Sequence, residues 1–263
     1  MPAGGTGLVL RGLRKEPATI GKWHLGWDLT YKEGKAKTVD NIDFTKRVAN
    51  GPTDRGFDYF YGLTSPSGPP HLYMVNDMAE KQPNTRFEES GGGLYKIKGG
   101  IGHSDWSADG MQPHLADKML EYLDENKDSD KPFFLYMALT APHIPLFPSK
   151  EFKGKSKIGD YGDLVMMIDD IVGRVNRKLK EIGKYDNTIV MFAADNGCAG
   201  YINMDRINRK GHYPSYIYRG YKSHGWEGGH RIPFILLWGD RYGHVTDNSL
   251  VSLTDLYATF ADM

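Results

Sequence analysis

The sequence predicts an α/β fold, a mainly parallel sheet sandwiched by helices. Three observations carry that prediction. Continuous apolar runs of strand length recur at FFLYMALT (133–140), TIVMFAAD (188–195) and IPFILLWG (232–239). A long amphipathic helix pattern over 160–182 lies between the first two. Short links rich in turn residues join them. Strands and helices that alternate in this way imply parallel pairing. Apolar runs without alternation suit strands covered on both faces.

In chain order, ATIG (18–21) is a short β-type run that leads into KWHLGW. Lys22 and His24 flank Trp23. In an extended segment positions i and i+2 share a face, so Lys22 and His24 would project together and Trp23 would point the other way into packing. The plainer alternative is a strand end turning at glycine, with an exposed lysine and a hydrogen-bonded histidine. Residues 28–112 are rich in Gly, Pro, Ser and Asp and are expected to be loops. Loops of this length inside a domain are usually functional. The stretch 62–112 is expected to shape a specificity pocket, with His71, Tyr73, His103 and Trp106 as wall residues or, equally, as scattered surface aromatics.

PHLADKMLEYLDEN (113–126) predicts a helix with Pro113 in its first turn and Leu115, Met119, Leu120 and Leu123 as its apolar stripe. Over 160–182, Leu164, Met167, Ile168, Ile171, Val172, Val175, Leu179 and Ile182 recur at three-and-four spacing. Asp160 or Gly159 opens this helix and Gly183 closes it. SLTDLYATFADM (252–263) predicts a last helix. Strands 133–140 and 188–195, joined by a right-handed crossover, are expected to point the same way. Their C-terminal ends would then lie on the edge where open α/β sheets bind ligands.

The 263 residues suit one domain, 1–263, with a sizeable core. Lysine plus arginine and aspartate plus glutamate both total 33, so there is no basic bias toward nucleic acid. No apolar run reaches the roughly 18 residues of a membrane span. The first residues lack the charged start and apolar stretch of a secretory signal. Cys198 is the one cysteine, which excludes an internal disulfide and a CxxC metal site. Nothing in the composition sets the oligomeric state.

Each predicted strand releases chemically capable side chains as it ends. Lys22 and His24 follow ATIG, His143 follows FFLYMALT, and Asp195-Asn196-Gly197 follows TIVMFA. Asp195 and Asn196 offer one anionic and one neutral hard oxygen, donors that calcium or magnesium takes. The same tripeptide is also good material for an Asx turn. His143, between Pro142 and Pro145, suits a general acid, or equally a loop histidine capping a carbonyl. YRGYKSHGWEGGHRIP (218–233) places Lys222 to meet an anion and Glu227 to pair with Lys222 or Arg231. A solvated charged loop is the alternative. Taken together, Lys22, Lys222, His24 and His143 with a cation on Asp195 and Asn196 suggest an anion site for a sulfate or phosphate ester.

These segments resemble the sulfatase family of the alkaline-phosphatase-like superfamily. GKWHLG (21–26) is similar to a family signature, PTDRGFDYFYG (52–62) to the segment after it, and APHIP (141–145), DNTIVMFAADNG (186–197) and RGYKSHGWEGGHRIP (219–233) to the later blocks in order. SLTDLYATFADM is similar to a later helix of the family. The resemblance implies an alkaline-phosphatase-like fold and a sulfuric ester hydrolase acting on aryl or carbohydrate sulfates. It implies that Asp195 and Asn196 ligate calcium, in preference to magnesium. It implies that Lys22 and Lys222 bind sulfate oxygens, with Lys222 also near the leaving oxygen. His143 would bind the substrate and help protonate the departing alcohol, and His24 would act later as the base that expels sulfate from the covalent intermediate. The partner would be a sulfated small molecule or glycan, and the location exported (periplasmic or extracellular) or lysosomal.

The family's nucleophile is a formylglycine made within a Cys/Ser-x-Pro/Ala-x-Arg motif. Cys198 continues as CAGYI, without the proline or arginine, and Ser215 to Arg219 has Ile217 where Pro or Ala belongs. The expectation is therefore a fragment: a catalytic domain lacking an N-terminal nucleophile and metal segment, starting near the helix that leads into GKWHLG, and lacking a small C-terminal subdomain. Such a chain is expected to be inactive alone, to bind calcium weakly, and to expose a sheet edge and part of its core. A related phosphoester or phosphonate hydrolase and a non-catalytic sulfated-glycan-binding protein are the alternatives.

Overall fold

The computed structural model describes residues 16–65 and 67–263. The helix expected ahead of GKWHLG lies outside the described residues. The chain divides into two compact units, one running up to Thr140 and taking in Asn248–Met263, the other Ala141–Asp247.

The first unit is built on a five-stranded mixed sheet. Its core is parallel. β1 (Glu16–Lys22) pairs in parallel with β2 (Tyr59–Leu63) on one side and with β7 (Phe133–Ala138) on the other. β3 (Met74–Val75) and β4 (Met78–Ala79) add antiparallel strands beyond β2. A separate antiparallel pair, β5 (Thr85–Phe87) and β6 (Gly100–Gly102), lies in the long loop region.

Side chains alternate across β2 as period-two geometry demands. Phe60 enters an apolar cluster with Trp23, Ile42, Phe44, Val48, Phe57, Leu72 and Met74. Tyr59 and Tyr61 point to the opposite face, where they meet Tyr122 and His114 of helix α1 (Met111–Glu125). α1 starts two residues earlier than Pro113 and buries Leu115, Met119 and Leu123. Phe134 of β7 meets Phe260 of the C-terminal helix, Asp255–Asp262, edge to face at 5.4 Å.

β1, β2 and β7 approach so closely that glycine is required. A Cβ on Gly62 would lie 1.8 Å from the Gly21 carbonyl oxygen. One on Gly21, whose φ is 132°, would lie 2.0 Å from the Ala138 oxygen.

The second unit contains the long helix α2 (Asp160–Glu181), as periodicity predicts, with Leu164, Met167, Ile168, Ile171, Val175 and Leu179 buried. Each such burial contributes about 1.5–3 kcal/mol. Gly159 is its N-cap at φ 90°. Gly183, at φ 70°, closes it: its N–H reaches Lys180 O at 3.1 Å and the Lys184 N–H reaches Leu179 O at 2.9 Å. That pair of bonds is a Schellman motif. Acidic Asp160 and Asp163 at the start and Lys178 and Lys180 at the end complement the helix dipole.

β8 (Ile189–Ala193) and β9 (Phe234–Trp238) differ from expectation. They pair with each other, antiparallel, in a two-stranded sheet. An apolar run reports burial, not direction, so a parallel β9 could not be told from an antiparallel one. Ile235 and Leu236 are largely exposed, so β9 is not covered on both faces. Among the described residues no helix is long and apolar enough to cross a membrane.

Candidate active site

In the first unit, the glycine contact described above carries β1 to its end at Lys22. The Trp23 N–H donates to Leu63 O at 3.0 Å, and its indole N–H donates to Gly26 O at 3.0 Å. Trp23 is 8% exposed and meets Phe57 edge to face, so it anchors the strand end as expected. The strand alternation expected to put Lys22 and His24 on one face does not reach His24. Extended geometry stops at Lys22, and His24 takes a left-handed φ of 51°. Lys22 is half-buried and His24 exposed.

The proposed wall residues of this unit are mostly core. His71, Tyr73 and Trp106 are buried. The His71 Nε2–H donates to Lys98 O at 2.7 Å, and its ring lies 4.4 Å from that of Trp106. Burial lowers the His71 pKa, and the carbonyl bond opposes that shift. His103 is engaged by Asn84 and Asp105.

In the second unit, Asp195 and Asn196 leave the end of β8, and Asn196 Nδ2 donates to Asp195 Oδ1. The turn they form is bound to the basic loop. The Gly197 N–H reaches Gly229 O at 2.9 Å, and the Lys222 N–H reaches Cys198 O at 2.8 Å. The glycines permit this closeness. A Cβ on Gly197 would sit 2.0 Å from Gly228 O, and one on Gly229 would sit 2.1 Å from His224 O. The loop's charges are sorted: Glu227 pairs with Arg231 at 2.7 Å, and the Arg219 guanidinium lies 4.0 Å above the Trp226 ring. The Arg231 hydrogen bond holds Glu227 below the usual carboxylate range. Lys222 is left to the cavity of about 420 Å³ that it lines with Gly200, Tyr201, Tyr221 and Ser223.

His143 Nδ1 lies 2.7 Å from Ile144 O. A carbonyl only accepts, so Nδ1 carries the hydrogen and Nε2 is the nitrogen that exchanges a proton. The ring meets Tyr201 edge to face at 6.2 Å. Burial raises the Tyr201 pKa, and the charge of Asp195 adds to the shift. Tyr201 thus stands between the His143 ring and the hollow that Lys222 lines. The sequence reading passed over it and Tyr221. Their shared signal is a glycine immediately before each, at 200 and 220.

Cys198 does not fit a nucleophile. Its thiol donates to the Tyr161 hydroxyl at 3.4 Å, and burial pushes its pKa up, the environment of an inert cysteine. The Asp195–Asn196 donor set does fit a hard cation in kind. Among the described residues, no group of three or more His, Cys, Asp and Glu side chains is placed to complete such a site.

A family model described as Sulfatase matches residues 9–263. The chain belongs to the sulfatase family. An N-acetylgalactosamine-6-O-sulfatase of Bacteroides thetaiotaomicron is 29% identical over 92% of this chain and 52% of its own length. An arylsulfatase of Hemicentrotus pulcherrimus is 30% identical over 93% of this chain and 39% of its own. Among solved structures, a chain from the Bacteroides thetaiotaomicron core locus for metabolism of multiple glycosaminoglycans superimposes with a TM-score of 0.79 at 26% identity. It is matched over 98% of this sulfatase chain and 59% of its own. The sulfatase chain therefore spans roughly half, or less, of the curated relatives' lengths. The likeness agrees with the alkaline-phosphatase-like α/β fold expected from sequence.

Proposed function

We propose that this chain forms part of a sulfuric ester hydrolase that acts on carbohydrate sulfates. Lys222 and Lys22 bind the sulfate oxygens. His143, protonated on Nε2, gives that proton to the departing alcohol, its ring oriented by the Nδ1–H bond to Ile144 O. His24 acts as the base of a later step. Asp195 and Asn196 supply oxygens to a calcium ion, which when bound polarises the sulfate. The nucleophile expected of the family is a formylglycine, and the Cys198 environment does not suit that role. Export, or delivery to a lysosome, belongs to the same proposal.

The observation that carries this reading is the bond from Lys222 N–H to Cys198 O at 2.8 Å. It joins the backbone of the loop that carries the candidate anion-binding lysine to the turn that bears the candidate metal ligands. The sulfated-sugar client is supported by the names of the relatives, N-acetylgalactosamine-6-O-sulfatase among them.

The test is a calorimetric titration with inorganic sulfate in the presence of calcium. Wild type should bind sulfate, and Lys222→Ala should weaken binding about tenfold or more, the loss of a charge-assisted contact. Equal sulfate binding by the two proteins defeats the reading. Tighter binding of phosphate than sulfate points to a phosphoester hydrolase instead.

A further inference from the structure

The cavity in the second unit holds more than Lys222. Two half-exposed tyrosines, Tyr201 and Tyr221, stand in its wall. Neither position is loose. The Tyr221 ring lies directly on the backbone at Gly200, where a Cβ would fall 2.3 Å from its Cε2. Its other neighbour is the His224 ring, 4.1 Å away at 35°. Tyr201 makes an edge contact with the His143 ring, 6.2 Å away. Each ring is fixed by packing while keeping surface toward the cavity.

Partly exposed aromatic rings beside a lysine form a binding surface of defined chemistry. The ammonium takes an anion. The rings take a flat, weakly polar body attached to it, and their hydroxyls with Ser223 offer hydrogen bonds to that body's rim. The hollow measures about 420 Å³ and is half open to solvent, room for one ring against its lining.

Resting on the hydrolase reading above, we propose that Tyr201 and Tyr221 are specificity-determining residues that hold the sugar ring of a sulfated monosaccharide while Lys222 holds its sulfate. The tyrosines recognise the carrier and not the anion. They therefore act on substrate choice and leave affinity for bare sulfate alone.

The experiment compares two probes, inorganic sulfate and N-acetylgalactosamine 6-sulfate, by calorimetry on the whole chain with calcium present. Tyr201→Ala and Tyr221→Ala should each weaken the sugar sulfate about tenfold and change inorganic sulfate less than about twofold. Tyr201→Phe, which keeps the ring, should retain most of the sugar affinity and guards against a folding defect. If both alanine variants bind the sugar sulfate as wild type does, or lose both probes equally, the tyrosine proposal is overturned and the sulfate reading stands. If wild type binds neither probe, both fall.

Discussion

The backbone N–H of Lys222 donates to the carbonyl of Cys198 at 2.8 Å. The turn that begins at Asp195 and the loop that carries Lys222 are thereby one structural piece. Two chain segments about 25 residues apart in sequence can be adjusted only together.

Gly197→Ala should break that piece. The new methyl would meet the Gly228 carbonyl oxygen at 2.0 Å, and backbone cannot move aside as a flexible side chain does. We expect a loss of about 1–3 kcal/mol in urea unfolding and faster hydrogen exchange at the Lys222 amide. Unchanged exchange there would mean the loop does not depend on Gly197.

Trp23 and Lys22 are adjacent and should respond in opposite ways. Trp23→Ala removes a side chain buried against Phe57 and its cluster, and should cost about 3–5 kcal/mol. Lys22→Ala removes a half-buried side chain that is not part of that cluster and should stay within about 0.5 kcal/mol, while weakening sulfate binding. Paired denaturation and titration curves separate the two. A large stability loss in Lys22→Ala would make it a structural residue.

Buried His71 and half-buried His114 of the first unit should make stability depend on pH. His114 faces Tyr61, Tyr73, Glu80, Asp117, Lys118 and Glu121, and burial lowers its pKa against the opposing charge of Glu80. Its Nε2–H donates to the Tyr61 hydroxyl at 2.6 Å, and that hydroxyl donates to Glu80 at 2.8 Å. His71 is lowered as well. An unfolded histidine titrates near about 6.5, so the unfolded chain takes up protons first as pH falls. The contribution is therefore complete above about pH 6.5 and is lost as pH drops through the lowered folded values. Urea midpoints between pH 7.5 and 5.5 should decline for wild type and decline less for His114→Gln. Parallel curves would remove His114 from the account.

Calcium should bind weakly through this chain. Asp195 and Asn196 provide a small part of the six to eight oxygens calcium takes. We expect a Kd of roughly 10⁻⁴–10⁻³ M and no binding in Asp195→Ala. Submicromolar calcium uptake would show that other residues of this chain complete the site.

Much of this architecture was legible because periodicity is local. Leu164 to Leu179 mark the face of α2, and the pair Gly159 and Gly183 marks its limits. β7 was legible from FFLYMA. β2 was not, since YFYGL sits among turn residues and carries the glycine that its neighbour Gly21 requires. The antiparallel pairing of β8 with β9 was hidden because direction is settled by topology. At the site, residue types at strand ends pointed to Asp195, Asn196 and His143, and the charged, glycine-rich run before β9 pointed to Lys222. The left-handed φ of His24 was invisible, because alternation assumes the strand continues. Tyr201 and Tyr221 were missed because an aromatic beside a glycine has no fixed chemistry until the ring's neighbour is known.

The seat of Tyr221 on Gly200 also constrains how this protein can vary. While an aromatic occupies 221, position 200 has room for hydrogen and nothing larger. A side chain at 200 therefore requires that the ring at 221 first move or shrink. The order of substitutions, and not merely their sum, would decide which descendants are reachable.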